Sequence, residues 1–105
     1  MDKGEALIIA EKYIEAVSKK YTVVRALLFG SFVKGTFNED SDIDVAVVLN
    51  NIPDTMDAQI DLMKLRRNVD LRIEPHPFQT NDFELNNPLV NEIIKYGIDI
   101  KRSAA

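Results

Sequence analysis

The chain has 105 residues, no cysteine and a formal net charge of −4 at pH 7. Its length predicts a single domain over residues 1–105, and the lack of cysteine excludes disulfides and thiolate metal sites. The negative charge argues against a domain that holds long nucleic acid by neutralising phosphates, but it is compatible with a nucleotide substrate bound through a metal. Residues 1–5 are too charged for a signal peptide and no segment has the length of a membrane span, so we expect a cytoplasmic protein without membrane attachment.

The first half of the chain predicts a helix followed by two strands. Asp2 and Glu5 have the spacing of a capping box, and apolar residues follow at helical spacing until about residue 18. An apolar, β-branched run over 23–29 predicts the first strand, with a short helix and a polar loop after it. The run over 43–49 is almost entirely apolar and predicts a second strand that is central and covered on both faces.

The second half predicts a helix over 55–67, with its methionines in the core. Strict alternation of apolar and polar residues over 69–74 then predicts a half-buried strand, which Pro75 and Pro77 end.

The C-terminal part predicts a helix bracketed by Pro88 at its start and Gly97 just past its end. A short final strand is predicted over 98–101. The resulting order α-β-α-β-α-β-α-β is typical of a small α/β sandwich.

Two carboxylates stand at the start of the second predicted strand. Asp42 and Asp44 are two residues apart, so their side chains point to the same face. Two like charges held this close repel each other unless a cation lies between them. Glu39 and Asp40, just before them, are typical of a solvated acidic loop, whereas Asp42 and Asp44 are interleaved with apolar residues. We therefore interpret Asp42 and Asp44 as ligands of a divalent metal.

The first predicted strand runs directly into Gly30 and Ser31. A glycine turn that opens a short helix presents backbone N–H groups that suit phosphate. The segment from this turn to the acidic pair therefore supplies both a phosphate site and a metal site.

A third carboxylate would complete the metal site. Asp70 and Glu74 share one face of the predicted strand over 69–74. If that strand lies beside the second one, Asp70 reaches Asp42 and Asp44, and three carboxylates suit Mg²⁺ or Mn²⁺. We favour Asp70 because apolar residues flank it on both sides, and Glu74 is the alternative.

His76 is the only histidine of the chain and lies between two prolines. One histidine cannot form a zinc site, and nothing near it in sequence forms a nucleophile–base pair. We expect it to have a surface or strand-end role.

The combination of Gly30-Ser31, ten further residues, Asp42-Ile43-Asp44 and a later Asp70 between apolar residues resembles the signature of the DNA polymerase β-like nucleotidyltransferase superfamily. Within that superfamily, the length and the segment GSFVKGTFNEDSDIDVAVV resemble the minimal nucleotidyltransferases of bacteria and archaea. Those proteins are often encoded beside a small helical HEPN protein, and such pairs act as toxin–antitoxin modules. The resemblance implies the polymerase β-like fold, a small mixed β-sheet with helices packed against it.

The resemblance also implies roles for individual residues. The Gly30-Ser31 turn would bind the β- and γ-phosphates of a nucleoside triphosphate, and Asp42 and Asp44 would ligate two Mg²⁺ or Mn²⁺ ions. Asp70 would complete the second metal site and help to activate the attacking hydroxyl. Lys34 stands where relatives commonly carry a basic residue before glycine, and it would steady the triphosphate.

The implied function is the transfer of a nucleoside monophosphate, AMP from ATP in the first instance, to a hydroxyl acceptor. The acceptor that the resemblance favours is a tyrosine of a HEPN-type partner protein. Two alternatives stay open: a non-catalytic antitoxin that acts by binding its partner, and a subunit of a small-molecule nucleotidyltransferase of the aminoglycoside-modifying type. The sequence identifies neither the acceptor, nor the base, nor the homo- or hetero-oligomeric state.

Overall fold

The computed structural model describes residues 2–38 and 40–100. Met1, Glu39 and residues 101–105 lie outside the described residues. The predicted acidic loop therefore lacks Glu39 in this description, and the end of the predicted last strand also lies outside it. The elements in chain order are α1 (Lys3–Ser18), β1 (Val23–Phe29), α2 (Ser31–Lys34), β2 (Ile43–Leu49), α3 (Thr55–Leu65), β3 (Ile73–Gln79), α4 (Pro88–Tyr96) and β4 (Ile98–Asp99), with 3-10 turns at Arg66–Asn68 and Thr80–Asp82.

The four strands form one mixed sheet in the order β3-β2-β1-β4. β2 runs parallel to β3 and antiparallel to β1, and β1 runs antiparallel to β4. The predicted mixed sheet with packed helices is therefore confirmed, and so is the central position of β2. The start of α1 is also as predicted, because the carboxylate of Asp2 accepts a hydrogen bond from the backbone N–H of Glu5 at 2.9 Å.

The two faces of the sheet are covered unequally. The larger core cluster joins α1, α2 and α3 to the sheet and includes Leu28, Ile43, Val45 and Val47. The opposite face carries a smaller cluster, in which Leu27, Phe29, Ala46 and Ile93 of α4 are buried and Phe78 and Phe83 pack against them. Because side chains alternate along a strand, Asp44 of β2 points to this second, thinly covered face.

The third strand differs from its prediction. It spans Ile73–Gln79 and contains Pro75 and Pro77, whereas the predicted strand over 69–74 was ended by them. Residues 69–72 form the turn that leads into it. The prediction is wrong because it treated proline as a strand terminator, and proline is tolerated in a strand at the edge of a sheet.

The hydrogen-bond register shows why these prolines fit. Ile43 donates its N–H to the carbonyl of Arg72 at 2.8 Å and is the register partner of Ile73. Even-numbered residues of β3 therefore bond to β2, and odd-numbered residues direct their backbone groups to the outer edge. Pro75 and Pro77 both fall on outer positions, where a missing N–H costs no bond of the ladder.

The outward carbonyls of β3 have partners as well. Arg66 donates from a guanidinium N–H to the carbonyl of Ile73 at 2.9 Å, and the side-chain amide of Gln59 donates to the carbonyl of Pro75 at 3.0 Å. Prolines without donors and carbonyls with partners leave this edge little capacity to pair with another strand.

α3 packs against the sheet through Ala58 and Leu62, which are buried. Met56 is 71% exposed, so its predicted place in the core is wrong. Among the described residues no helix is long and apolar enough to cross a membrane.

A polar contact joins the end of α1 to α3. The carboxylate of Asp61 accepts hydrogen bonds from the ammonium of Lys20 and from the hydroxyl of Tyr21. These two bonds hold the pKa of Asp61 below its usual value, and the bond to Asp61 raises the pKa of Tyr21 to about 12.

We expect Asp61→Asn to lower the free energy of unfolding by up to about 1 kcal/mol at pH 7. Because the folded-state pKa of Asp61 is depressed, the wild type has this stabilisation above the carboxyl's ordinary pKa and loses it as the pH falls through the folded-state pKa. The difference between wild type and variant, measured by urea denaturation, should therefore shrink between about pH 5 and pH 3. Glu15→Gln, a matched charge change at an exposed site on α1, is the control; a pH-independent difference for Asp61→Asn would contradict the assignment.

Candidate functional site

The turn after β1 is a left-handed glycine turn. Gly30 has φ 82° and ψ −148°, a conformation that is essentially restricted to glycine. Its carbonyl accepts hydrogen bonds from the N–H groups of Val33 and Lys34, each at 3.1 Å, and these bonds begin α2.

α2 is only four residues long and is fixed by one aromatic side chain. Phe32 is 1% exposed and belongs to the larger core cluster, and its ring stacks on Phe37 with centroids 4.9 Å apart. Burial of Phe32 therefore holds the Gly30-Ser31 turn at the end of β1 rather than leaving it as a free loop.

The carboxylate of Asp44 lies directly against this turn. Asp44 pairs with Phe29 across β1 and β2, which brings its side chain to the next residue, Gly30. A Cβ atom placed on Gly30 would be 2.3 Å from Oδ2 of Asp44. The absence of a side chain at Gly30 is therefore a requirement for the position of Asp44.

Asp42 immediately precedes β2 and is exposed, whereas the side chain of Asp44 is 25% exposed. Asp44 points to the thinly covered face, and the common direction of Asp42 and Asp44 stays a prediction from their spacing.

Lys34, the residue predicted to steady a triphosphate, lies at the end of α2. In the structure its ammonium forms an ion pair with the carboxylate of Glu92 on α4, and both side chains are largely exposed. An exposed pair of this kind contributes little to stability, so Lys34 can exchange Glu92 for another anion at low cost.

Asp70 does not lie where the sequence placed it. It belongs to the turn before β3, and its two carboxylate oxygens accept hydrogen bonds from Arg72 at 2.9 Å and 2.6 Å. The pairing with Arg72 holds the pKa of Asp70 below its usual value. The predicted strand position of Asp70 is therefore wrong, and among the described residues Asp70 forms no group of three metal-ligating side chains with Asp42 and Asp44.

Glu74 occupies the strand position beside the acidic pair. In the parallel register of β2 and β3, Asp44 is the partner of Glu74. Register partners of neighbouring strands point to the same face, so the half-buried Glu74 shares the face of Asp44.

His76 is the site residue that sequence reasoning missed. It follows Glu74 by two residues on the same face, and its Nε2 lies 3.1 Å from Oδ1 of Asp44. The signal was that the strand alternation continues past the prolines, so that Glu74, His76 and Phe78 share one face. This is visible only if Pro75 and Pro77 are accepted as residues of an edge strand.

The donor chemistry of this region fits a hard divalent cation. Asp42 and Asp44 supply carboxylate oxygens, and Glu74 is the nearest acid on the neighbouring strand. Within residues 2–38 and 40–100, however, no three histidine or acidic side chains already form a group that could hold a metal ion. Asp44 and Glu74 thus share one face of the sheet, without a preformed cluster of three among the described residues.

We expect Gly30→Ala to destabilise the fold more than Gly35→Ala. Both glycines have positive φ, but a Cβ at Gly35 meets no atom within 4 Å, whereas one at Gly30 meets Asp44. Gly35→Ala should cost about 1 kcal/mol of unfolding free energy, and Gly30→Ala about 3 kcal/mol.

The double variant Gly30→Ala/Asp44→Ala isolates the contact from the backbone strain. We expect urea denaturation to give a coupling energy of about 1 kcal/mol or more, because removing the Asp44 carboxylate relieves the clash. Additive effects of the two substitutions would show that Asp44 moves aside freely.

Comparison with known proteins places this geometry in a family. The family model described as "Nucleotidyltransferase domain" matches residues 10–100. Two relatives come from Methanocaldococcus jannaschii. "Putative protein adenylyltransferase MJ0141" is 25% identical over 80 residues, which are 72% of this chain and 77% of that protein. "Putative protein adenylyltransferase MJ1305" is 28% identical over 106 residues, which are 90% of this chain and 70% of that protein.

A solved structure has the same fold. The crystal structure described as a toxin–antitoxin with AMP-PNP superposes with a TM-score of 0.65 and 23% sequence identity, over 89% of this chain and 73% of that one. The family model covers most of the chain, including the glycine turn, the acidic pair and all four strands. The chain therefore belongs to the family of nucleotidyltransferase domains.

Proposed function

We propose that this chain is a metal-dependent adenylyltransferase that moves AMP from ATP to a hydroxyl of a partner protein. The observation that carries the proposal is the place of Asp44, whose carboxylate lies between the glycine turn of β1 and the polar face of β3. Support for the choice of AMP and of a protein acceptor comes from the two archaeal relatives that are named as protein adenylyltransferases.

The partner that we propose is a helical HEPN-type protein with an acceptor tyrosine, so that the pair forms a toxin–antitoxin module. The structural neighbour described as a toxin–antitoxin with AMP-PNP supports both the kind of partner and the kind of nucleotide. It supports them through the shared fold and not through close sequence similarity.

In this proposal the nucleotide lies between α2 and the acidic pair. The Gly30-Ser31 turn and Lys34 bind the phosphates, and Asp42 and Asp44 hold Mg²⁺ or Mn²⁺. A divalent metal held by these two acids would supply positive charge that offsets the charge developing in the displacement. Lys34 leaves Glu92 for the phosphates, because an exposed ion pair is readily exchanged.

The chemical step is an in-line displacement at the α-phosphorus. The acceptor oxygen forms a bond to that phosphorus, the bond to the bridging oxygen of the β-phosphate breaks, and pyrophosphate leaves. We assign the hydroxyl proton to Glu74, since it shares the face and register of Asp44. The protein's contribution is positioning and charge compensation, without a covalent intermediate.

Glu74 replaces Asp70 as the third carboxylate in this proposal. Both oxygens of Asp70 are already bonded to Arg72 in the turn before β3, and moving them would break that turn. Glu74 lies within β3, directly opposite Asp44 in register. We therefore favour Glu74 over Asp70 on the basis of its strand position.

A second candidate function is contact inhibition, in which the chain neutralises its partner without chemistry. Met56 and Ile60, one turn apart on α3, are 71% and 52% exposed, although both are large apolar side chains. Such side chains favour a protein contact at α3, where Met56 lines a pocket together with His76 and Phe78.

We expect Glu74→Gln to reduce nucleotidyl transfer on the order of 100-fold or more while leaving the melting temperature nearly unchanged, because it removes one charge without changing shape. Asp70→Asn should do the opposite: it weakens the turn and lowers the melting temperature, but leaves transfer within a factor of about three. Label from α-³²P-ATP on the acceptor protein measures transfer, and thermal denaturation measures stability. The reverse pattern would restore Asp70 as the third carboxylate.

The enzyme and the contact inhibitor are separated by Asp42→Ala. With Mg²⁺ and α-³²P-ATP, the wild type should label the protein encoded beside it, and Asp42→Ala should lose on the order of 100-fold or more of this transfer. Binding of the partner, measured by calorimetry, should persist, since Asp42 precedes β2 and is not one of the exposed apolar side chains of α3. Glu15→Ala is the control for loss of an acid. If Asp42→Ala still neutralises the partner fully in cells, the contact mechanism is correct and the transfer proposal is not.

A further inference from the structure

His76 contacts two residues of the site that are distant from it in sequence, Asp44 and Phe29. Its Nε2 is 3.1 Å from Oδ1 of Asp44, which is 32 residues away in sequence. The edge of its ring meets Phe29, with centroids 4.9 Å apart and planes at 63°. Phe29 is itself 8% exposed, so it gives the imidazole a rigid support.

The two oxygens of Asp44 are held from opposite sides. Oδ1 has His76 as its hydrogen-bond partner, and Oδ2 lies against the bare backbone of Gly30. A carboxylate on a side chain normally rotates through a broad range about its last torsion. With a donor at one oxygen and a close backbone at the other, this rotation is restricted.

We propose that His76 is a positioning residue for the metal ligand Asp44. Its Nε2 donates a hydrogen bond to Oδ1 and fixes the carboxylate plane, while the backbone of Gly30 limits rotation on the other side. This inference rests on the proposed function, because the orientation matters only if Asp44 binds a metal. It adds a residue to the site that neither the acidic pair nor the glycine turn implies.

Two properties distinguish positioning from simple packing. The side chain of His76 is 32% exposed, so filling of a cavity is a weak reason for its presence. The contact with Asp44 requires a donor, which an apolar residue of similar size lacks. Partners that orient a metal ligand from outside the coordination sphere typically change metal affinity by about 10- to 100-fold when they are removed.

The test compares His76→Gln with His76→Leu. The amide nitrogen of glutamine reaches about as far as Nε2 and keeps a donor, whereas leucine keeps the volume and loses the donor. Binding of Mn²⁺ is measured by electron paramagnetic resonance at a fixed, saturating concentration of AMP-PNP. We expect His76→Leu to weaken Mn²⁺ binding about 10-fold or more and His76→Gln to stay within about threefold of the wild type.

Phe29→Leu provides a matched variant for the support of the ring. It leaves His76 and Asp44 in place but removes the aromatic edge contact, and we expect a smaller loss of Mn²⁺ affinity than for His76→Leu. Thermal denaturation without metal accompanies each variant and shows that all of them fold. Equal Mn²⁺ affinity of His76→Leu and wild type would overturn the proposal.

A second readout does not depend on the metal. The chain has a single histidine, so ¹⁵N-histidine labelling gives one imidazole spectrum. At one fixed pH, the Nε2 resonance should differ between the wild type and Asp44→Ala, while it should not change in Glu15→Gln. Identical Nε2 resonances in wild type and Asp44→Ala would overturn the contact.

The two readouts separate failure of this inference from failure of the proposed function. If the wild type binds Mn²⁺ and transfers AMP but His76→Leu does so equally well, the inference is wrong and the proposed function stands. If the wild type transfers no AMP, the proposed function is wrong, and the nuclear magnetic resonance comparison still decides whether His76 orients Asp44.

Discussion

The carboxylate of Asp44 is the point on which the site depends. It lies between the backbone of Gly30 and the imidazole of His76, and these two residues belong to different neighbours of β2 in the sheet. A change in strand register on either side would move one contact away from it. The order of β1, β2 and β3 is therefore a requirement of the site as well as of the fold.

The unequal covering of the sheet explains how so small a domain holds a polar site. The face packed by α1, α2 and α3 carries most of the buried apolar side chains and supplies most of the hydrophobic stabilisation. The other face has only a small cluster around Leu27 and Ile93. Asp44 and Glu74 are half-buried there without being surrounded by core, so their carboxylates keep access to water.

The sequence was sufficient for those parts of the fold in which local pattern and tertiary position agree. The bounds of β1 and β2 follow from their apolar runs, and the two ends of α4 follow from a proline and a glycine. The structure has all of these bounds where they were predicted. β3 was misplaced because the two prolines are acceptable only at an edge, and edge position is a property of the whole sheet. His76 was neglected because the predicted strand ended before it, whereas the preference for Asp70 came from its apolar neighbours.

The closed edge of β3 has a consequence for assembly. Proteins commonly join by adding a strand from one chain to the exposed edge of a sheet in another. Here Pro75 and Pro77 have no backbone N–H to donate. The carbonyls of Ile73 and Pro75 already accept hydrogen bonds from Arg66 and Gln59. Continuation of the sheet across β3 is therefore disfavoured, and a protein that approaches from this side has to be recognised by side chains. The shape and chemistry of the surface would then decide which protein binds. Such surface features can diverge quickly between related proteins, whereas a backbone hydrogen-bonding pattern would be common to all of them.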